Sequence, residues 1–222
     1  MIIENYFVCE RTGAFLSQDS NQGKRLLRSS ILSRRMVGTY SPDCHRAVCA
    51  HVISWLSSLA SKPDKIFLYS PFRNEPDLEG IRDHMDSSVA FGLPVMKPAH
   101  SMDFYRWESK KSLIKNSYGI AEPDPQISKS LRADHQTLVL CPALGVDRTG
   151  VRLGYGGGYY DRYFGDLLKS NRQHQPVLMG VVWDEFFFDE PLPFETTDIR
   201  MAWIATEKGI FKAQIATGKE GM

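Results

Sequence analysis

A three-layer α/β domain, its largely parallel sheet held between helices, is the fold this sequence predicts. Short apolar runs with the look of buried strands recur along the chain: "KIFLYSPF", "TLVLCPAL", "VLMGVVW" and "RMAWIAT". Segments with apolar residues three or four apart stand between them, the mark of helices. Of the 222 residues, 42% are hydrophobic and 24% charged, enough for one sizeable core.

The elements follow in order. Residues 1–19 lack a clear period and read as an N-terminal extension, with one domain over 20–222. "DSNQGKRLLRSSILSRRM" places Leu27, Ile31 and Leu32 on a shared face. Asp19 or Ser20 is its candidate cap, and Arg34 and Arg35 suit its C-terminal dipole. "DCHRAVCAHVISWLSSLAS" follows Pro42 as a second helix, with Val48, Val52, Leu56 and Leu59 in one stripe. "KIFLYSPF", between Pro63 and Pro71, is a buried strand. A helix over 76–88 and a strand at "AFGLPVMKP" come next. "TLVLCPAL" is a further buried strand, and "YYDRYFGDLLKSN" a helix carrying Tyr160, Phe164, Leu167 and Leu168. "VLMGVVW" and "RMAWIAT" complete the sheet.

Composition excludes several functions. Lys plus Arg total 27 against 26 for Asp plus Glu, so no nucleic-acid groove or membrane surface is expected. No run of about 18 apolar residues appears, and the N-terminus lacks the charged and apolar regions of a signal peptide. The four cysteines form no CxxC pair, and Cys141 reads as a small buried hydrophobe. A cytoplasmic monomer is the expectation. The six histidines show no metal-ligand spacing, and neither a GxSxG elbow nor a Cys–His signature is present.

The chemistry concentrates in "RLGYGGGYYDR", Arg152 to Arg162, between a buried strand and a helix. In α/β folds ligands gather outside the carboxyl ends of strands. Glycines let backbone N–H groups approach phosphate oxygens, and the following helix adds a favourable dipole. Neither GxxxxGK[ST] nor GxGxxG matches, so no Walker A loop or dinucleotide fingerprint is present. A plain connecting turn is the competing reading. Against it, Arg148, Arg152 and Arg162 can neutralise phosphates, and Asp161 can hold Mg²⁺ or simply pair with the helix dipole.

"PALGVDRTGVRLGYGGGYYDRYF" resembles the signature of the 5-formyltetrahydrofolate cyclo-ligase family, the 5,10-methenyltetrahydrofolate synthetases. "KRLLRSSILSRR", "YSPFRNEPDL", "MDFYRW", "YGIAEPDP" and "LPFETTDIRMAWIATEKGI" resemble its other segments. The chain departs from the usual family residues at Val146 (Phe), Leu78 (Thr) and Thr197 (His). The resemblance implies a Rossmann-like, NagB/RpiA-type fold and ATP- and Mg²⁺-dependent closure of 5-formyltetrahydrofolate to 5,10-methenyltetrahydrofolate. A relative closing a different substrate, or a non-catalytic nucleotide binder, remains open beside it.

The resemblance also implies roles. Lys24 and Arg28, one helical turn apart, would meet the nucleotide, although such a pair is otherwise a solvated face. Arg148, Gly154, Tyr155, Gly156, Gly157, Gly158, Tyr159, Tyr160 and Arg162 join them there. Arg152 and Asp161 are the catalytic candidates, Asp161 also as metal ligand. Glu75, in a turn, would bond the pterin ring or orient N10. Tyr105 and Trp107 would stack on the substrate's rings, or else serve as strand core.

Overall fold

The computed structural model describes residues 21–165, 167–169 and 175–214, with the backbone of residues 2–3, 6–8, 15–17 and 20. The extension expected over 1–19 lies outside the described residues, apart from three short strands, Ile2–Ile3, Tyr6–Val8 and Phe15–Ser17, that pair antiparallel.

Eight strands form the central sheet. Its order is Gly209–Lys212, Trp203–Thr206, Val177–Val181, Thr137–Pro142, Lys65–Phe67, Ala90–Lys97, Ser101–Arg106, Ser130–Leu131. The five strands from Trp203–Thr206 to Ala90–Lys97 are mutually parallel; the outer three each pair antiparallel with their inner neighbour. Alternation along each strand divides the core in two. Ile66, Leu138, Leu140 and Met179 face α1 (Ser20–Val37) and α2 (Pro42–Ser58). Phe67, Val139, Cys141 and Leu178 face Tyr160 and Phe164 of α3 (Tyr159–Gly165). The predicted α/β architecture is present, with an antiparallel rim that the strand runs did not disclose.

Both long helices lie where the periodicity puts them. Leu27 and Ile31 of α1 are buried, as are Val48, Val52 and Leu56 of α2, while Leu59 is half-buried just past its end. The helix expected over 76–88 is corrected to a short 3-10 turn, Glu79–His84. Within 76–88 only Pro76, Leu78 and Ile81 are buried, and the last two lie three residues apart, which suits three residues per turn.

The topology also fixes where a ligand can sit. The chain builds the sheet outward from Lys65–Phe67 in one direction, then returns to Thr137–Pro142 and builds in the other. The crevice between these two neighbours is the switch point, and its walls are the loops that leave them. Those loops carry the Glu75 turn and the glycine stretch.

Candidate active site

A cleft of about 1110 Å³ opens at this switch point. The glycine stretch forms one wall. Gly156 (φ +99°) and Gly158 (φ +66°) take backbone conformations that side chains disfavour, which turns the chain back toward α1. Arg28 Nε donates to the Gly154 carbonyl at 2.9 Å, so the helix and the loop are stapled together. Upstream, the buried Asp147 carboxylate accepts from the N–H groups of Thr149 (2.8 Å), Val151 (3.0 Å) and Leu192 (2.8 Å) and from the Thr149 hydroxyl (2.8 Å).

Arg152 lies beneath the glycines. Its Nη1 donates to the Pro142 carbonyl (3.1 Å), Nη2 pairs with Asp161 Oδ2 (3.4 Å), and the guanidinium covers the Tyr160 ring. Asp161 also accepts from the Ile199 N–H at 3.2 Å and faces the cleft. Lys24 is buried to 5% exposure. Its ammonium is held by Glu195 Oε1 (2.9 Å) and Asp198 Oδ2 (2.6 Å), so the helix pair is not a solvated face.

The opposite wall comes from the Glu75 turn. Arg73 and Asn74 adopt left-handed conformations (φ +50° and +58°), and the Phe72 N–H donates to Glu75 Oε2 at 2.9 Å. Burial pushes the Glu75 carboxyl up to about 7, against the opposing pull of Arg35. A carboxyl raised in this way favours the folded state when protonated. Its contribution to stability is full below about pH 4.5 and is lost as pH rises through about 7.

Of the residues singled out in the sequence, Lys24, Arg28, Glu75, Arg152, Gly154, Tyr155, Gly156, Gly157, Gly158, Tyr159, Tyr160, Asp161 and Arg162 all line this cleft. Three do not. Arg148 turns outward to Asp189 (2.6 Å) and covers the Phe187 ring. Tyr105 sits under Lys97, 5.7 Å from its ammonium. Trp107 is 6% exposed, stacked under Arg82 and beside a separate shallow hollow. For Tyr105, strand alternation gives the reason. Met102 and Phe104 face the cleft and α3, and odd-numbered positions of that strand point the other way.

The profile of the 5-formyltetrahydrofolate cyclo-ligase family matches residues 20–207. The chain belongs to this family. A 5-formyltetrahydrofolate cyclo-ligase of Mycolicibacterium smegmatis is 29% identical over 199 residues, which cover 85% of this chain and 96% of its own. One from Haemophilus influenzae is 26% identical, covering 81% and 95%. The solved 5,10-methenyltetrahydrofolate synthetase of Aquifex aeolicus superposes with a TM-score of 0.65 at 28% identity, over 90% of this chain and 96% of that one.

Within the cyclo-ligase framework, the departures from the usual family residues fall in two places. Leu78 and Val146 are in the hydrophobic core, away from the cleft, whereas Thr197 lines it. Sequence reasoning also missed cleft residues. Glu122 is buried, with Oε1 accepting from Asn116 (2.7 Å) and the Met96 N–H (3.2 Å). Tyr118 and Phe72 are aromatic residues that line the cleft, where Tyr105 and Trp107 do not. Glu195 and Asp198 reach the site from a segment 34 residues or more beyond Asp161, a closeness that no local pattern announces.

Proposed function

We propose that the chain converts 5-formyltetrahydrofolate to 5,10-methenyltetrahydrofolate with ATP, releasing ADP and phosphate. The observation that carries this reading is the facing of the glycine stretch and its cations against the buried Glu75 across one cleft. In that reaction the formyl oxygen takes the γ-phosphoryl group as the bond to ADP breaks. N10 then attacks the activated carbon, its proton is lost, and the carbon–oxygen bond breaks to release phosphate.

Phosphoryl transfer asks a protein for positioning and charge neutralisation rather than a nucleophile. Lys24, Arg28 and Arg152 supply positive charge, and the glycine loop lets phosphate oxygens approach its main chain. Glu75, kept from water, accepts a hydrogen bond from the substrate ring or takes the N10 proton. No group of three or more metal-ligating side chains exists among the described residues. Asp161, in the cleft, fits the one protein carboxylate that a phosphate-bound Mg²⁺ commonly needs. When bound there, Mg²⁺ would offset phosphate charge.

The deciding assay mixes the purified chain, 5-formyltetrahydrofolate and Mg·ATP and follows the near-ultraviolet absorbance of the methenyl product. Growth that needs ATP is the expected result. ATP turnover only with another metabolite, a reading that Thr197 keeps open, or nucleotide binding with no turnover, would replace this reading. Asp161→Ala should lower the rate at least about tenfold, and full activity in that variant removes Asp161 from the site. Gly156→Ala forces a side chain into its φ of +99°. The strain, about 1–3 kcal/mol, should displace the loop and raise the KM for ATP about tenfold. An unchanged KM would mean that the loop does not touch the nucleotide.

A further inference from the structure

Arg35 is the least expected charge in the molecule. It lies in the last turn of α1, where the sequence assigns it only to the helix dipole, yet its side chain is 1% exposed. Its two Nη arms tie together the end of a central strand and both walls of the cleft. Nη1 donates to the Ala143 carbonyl at 3.0 Å, beyond the end of the central Thr137–Pro142 strand. Nη2 donates to the Tyr155 hydroxyl of the glycine stretch and lies 3.8 Å from Glu75 Oε1. Nε and Glu75 Oε1 are both buried without a hydrogen-bond partner. The Arg35 carbonyl accepts from Asn74 Nδ2 at 3.0 Å, and the Asn74 carbonyl accepts from Trp183 Nε1 at 2.7 Å. The turn before Glu75 is thus fastened to the helix that brings the arginine.

Resting on the functional reading above, we infer that Arg35 is a positioning residue: it favours the charged form of the buried Glu75, aims that side chain into the cleft and joins it to the glycine loop through Tyr155. A buried carboxylate ionises only with a partner, and a fork with three donor edges can serve both walls at once. Lysine, a point charge, cannot reach Ala143, Tyr155 and Glu75 together. The other groups around Glu75 are Arg152 and Tyr155 from the glycine stretch, Tyr160 from α3 and Tyr69 after the Lys65–Phe67 strand. Three are neutral phenols near neutral pH. Arg152 is already committed to Asp161 and Pro142. Arg35 is therefore the main charge that opposes burial at Glu75.

The test is a carboxyl-carbon NMR titration of the full chain without substrate, with Glu75→Gln assigning the resonance. In Arg35→Met the Glu75 midpoint should rise by about one to three pH units, and Arg35→Lys should restore most of that shift. The acid limb of kcat/KM for the folate substrate should move by the same amount. If Arg35→Met does not fold, Arg35→Met/Glu75→Gln should, because the cost of protonating a buried acid that has lost its partner is then gone. An unmoved Glu75 midpoint in Arg35→Met, or a double variant as unfolded as the single, overturns the inference. The titration needs no turnover, so an inactive wild-type chain would sink the functional reading and leave this one standing.

Discussion

Lys24→Ala is expected to lower kcat/KM for ATP on the order of a hundredfold. The ammonium is buried, and it is held by two carboxylates, Glu195 and Asp198. Without it, those two acids and Asp161 face the cleft together, and a site meant for phosphates becomes repulsive to them. Arg28 cannot take over, since its Nε is tied to the Gly154 carbonyl. The fold should survive. Glu195 and Asp198 side chains are 39% and 18% exposed and can rehydrate, so the cost in stability is about 1 kcal/mol. Adding Glu195→Gln should recover part of the lost activity by relieving the repulsion. Steady-state kinetics against ATP, beside a thermal melt, check both points. An unchanged kcat/KM in a folded Lys24→Ala variant would take the residue out of the nucleotide site.

The parts of this site that could be read in advance are those with a local cause. The glycine stretch is legible because a main chain that turns through positive φ at Gly156 and Gly158 must be written with glycine. Lys24 and Arg28 share a face by helical spacing, but spacing alone reads as a solvated pair, and only the family resemblance implied a role for them. Leu27, Ile31, Val48, Val52 and Leu56 are legible by period, and all are buried.

What could not be read depends on pairing across the chain. Tyr105 and Trp107 carry the right chemistry, but sheet register turns Tyr105 away from the cleft and a ladder bond from the Trp107 N–H to Phe91 (2.8 Å) holds Trp107 beside a separate hollow. Arg148 sits in the signature itself yet packs outside, on Phe187 and Phe211. Arg35 looks like an ordinary helix-end cation until the Glu75 turn folds over it. The expected helix over 76–88 failed for a milder reason. Its apolar positions fit a three-residue period as well as a longer one, and Gly80 weakens the longer.

Asp147→Ala should produce the largest loss of stability, about 3 kcal/mol or more. The carboxylate is fully buried and satisfies four donors: three main-chain N–H groups and one hydroxyl. Alanine leaves the N–H groups of Thr149, Val151 and Leu192 without an acceptor in a place water does not reach, at about 1–3 kcal/mol for each orphaned group. For a chain of this size that lowers the melting temperature by roughly 6 °C or more. Asp147→Asn should cost less. Its single oxygen can still serve Thr149 and Val151, which bond Oδ1, while its amide would face the Leu192 N–H that bonds Oδ2. The damage should also reach function, because this loop runs directly into Arg152 and the glycines. Calorimetric melts of the three proteins give the order wild type, Asp147→Asn, Asp147→Ala. Equal melting temperatures would show that the loop holds its shape without this carboxylate. The rigidity of the glycine wall would then have to come from the Arg28 staple alone.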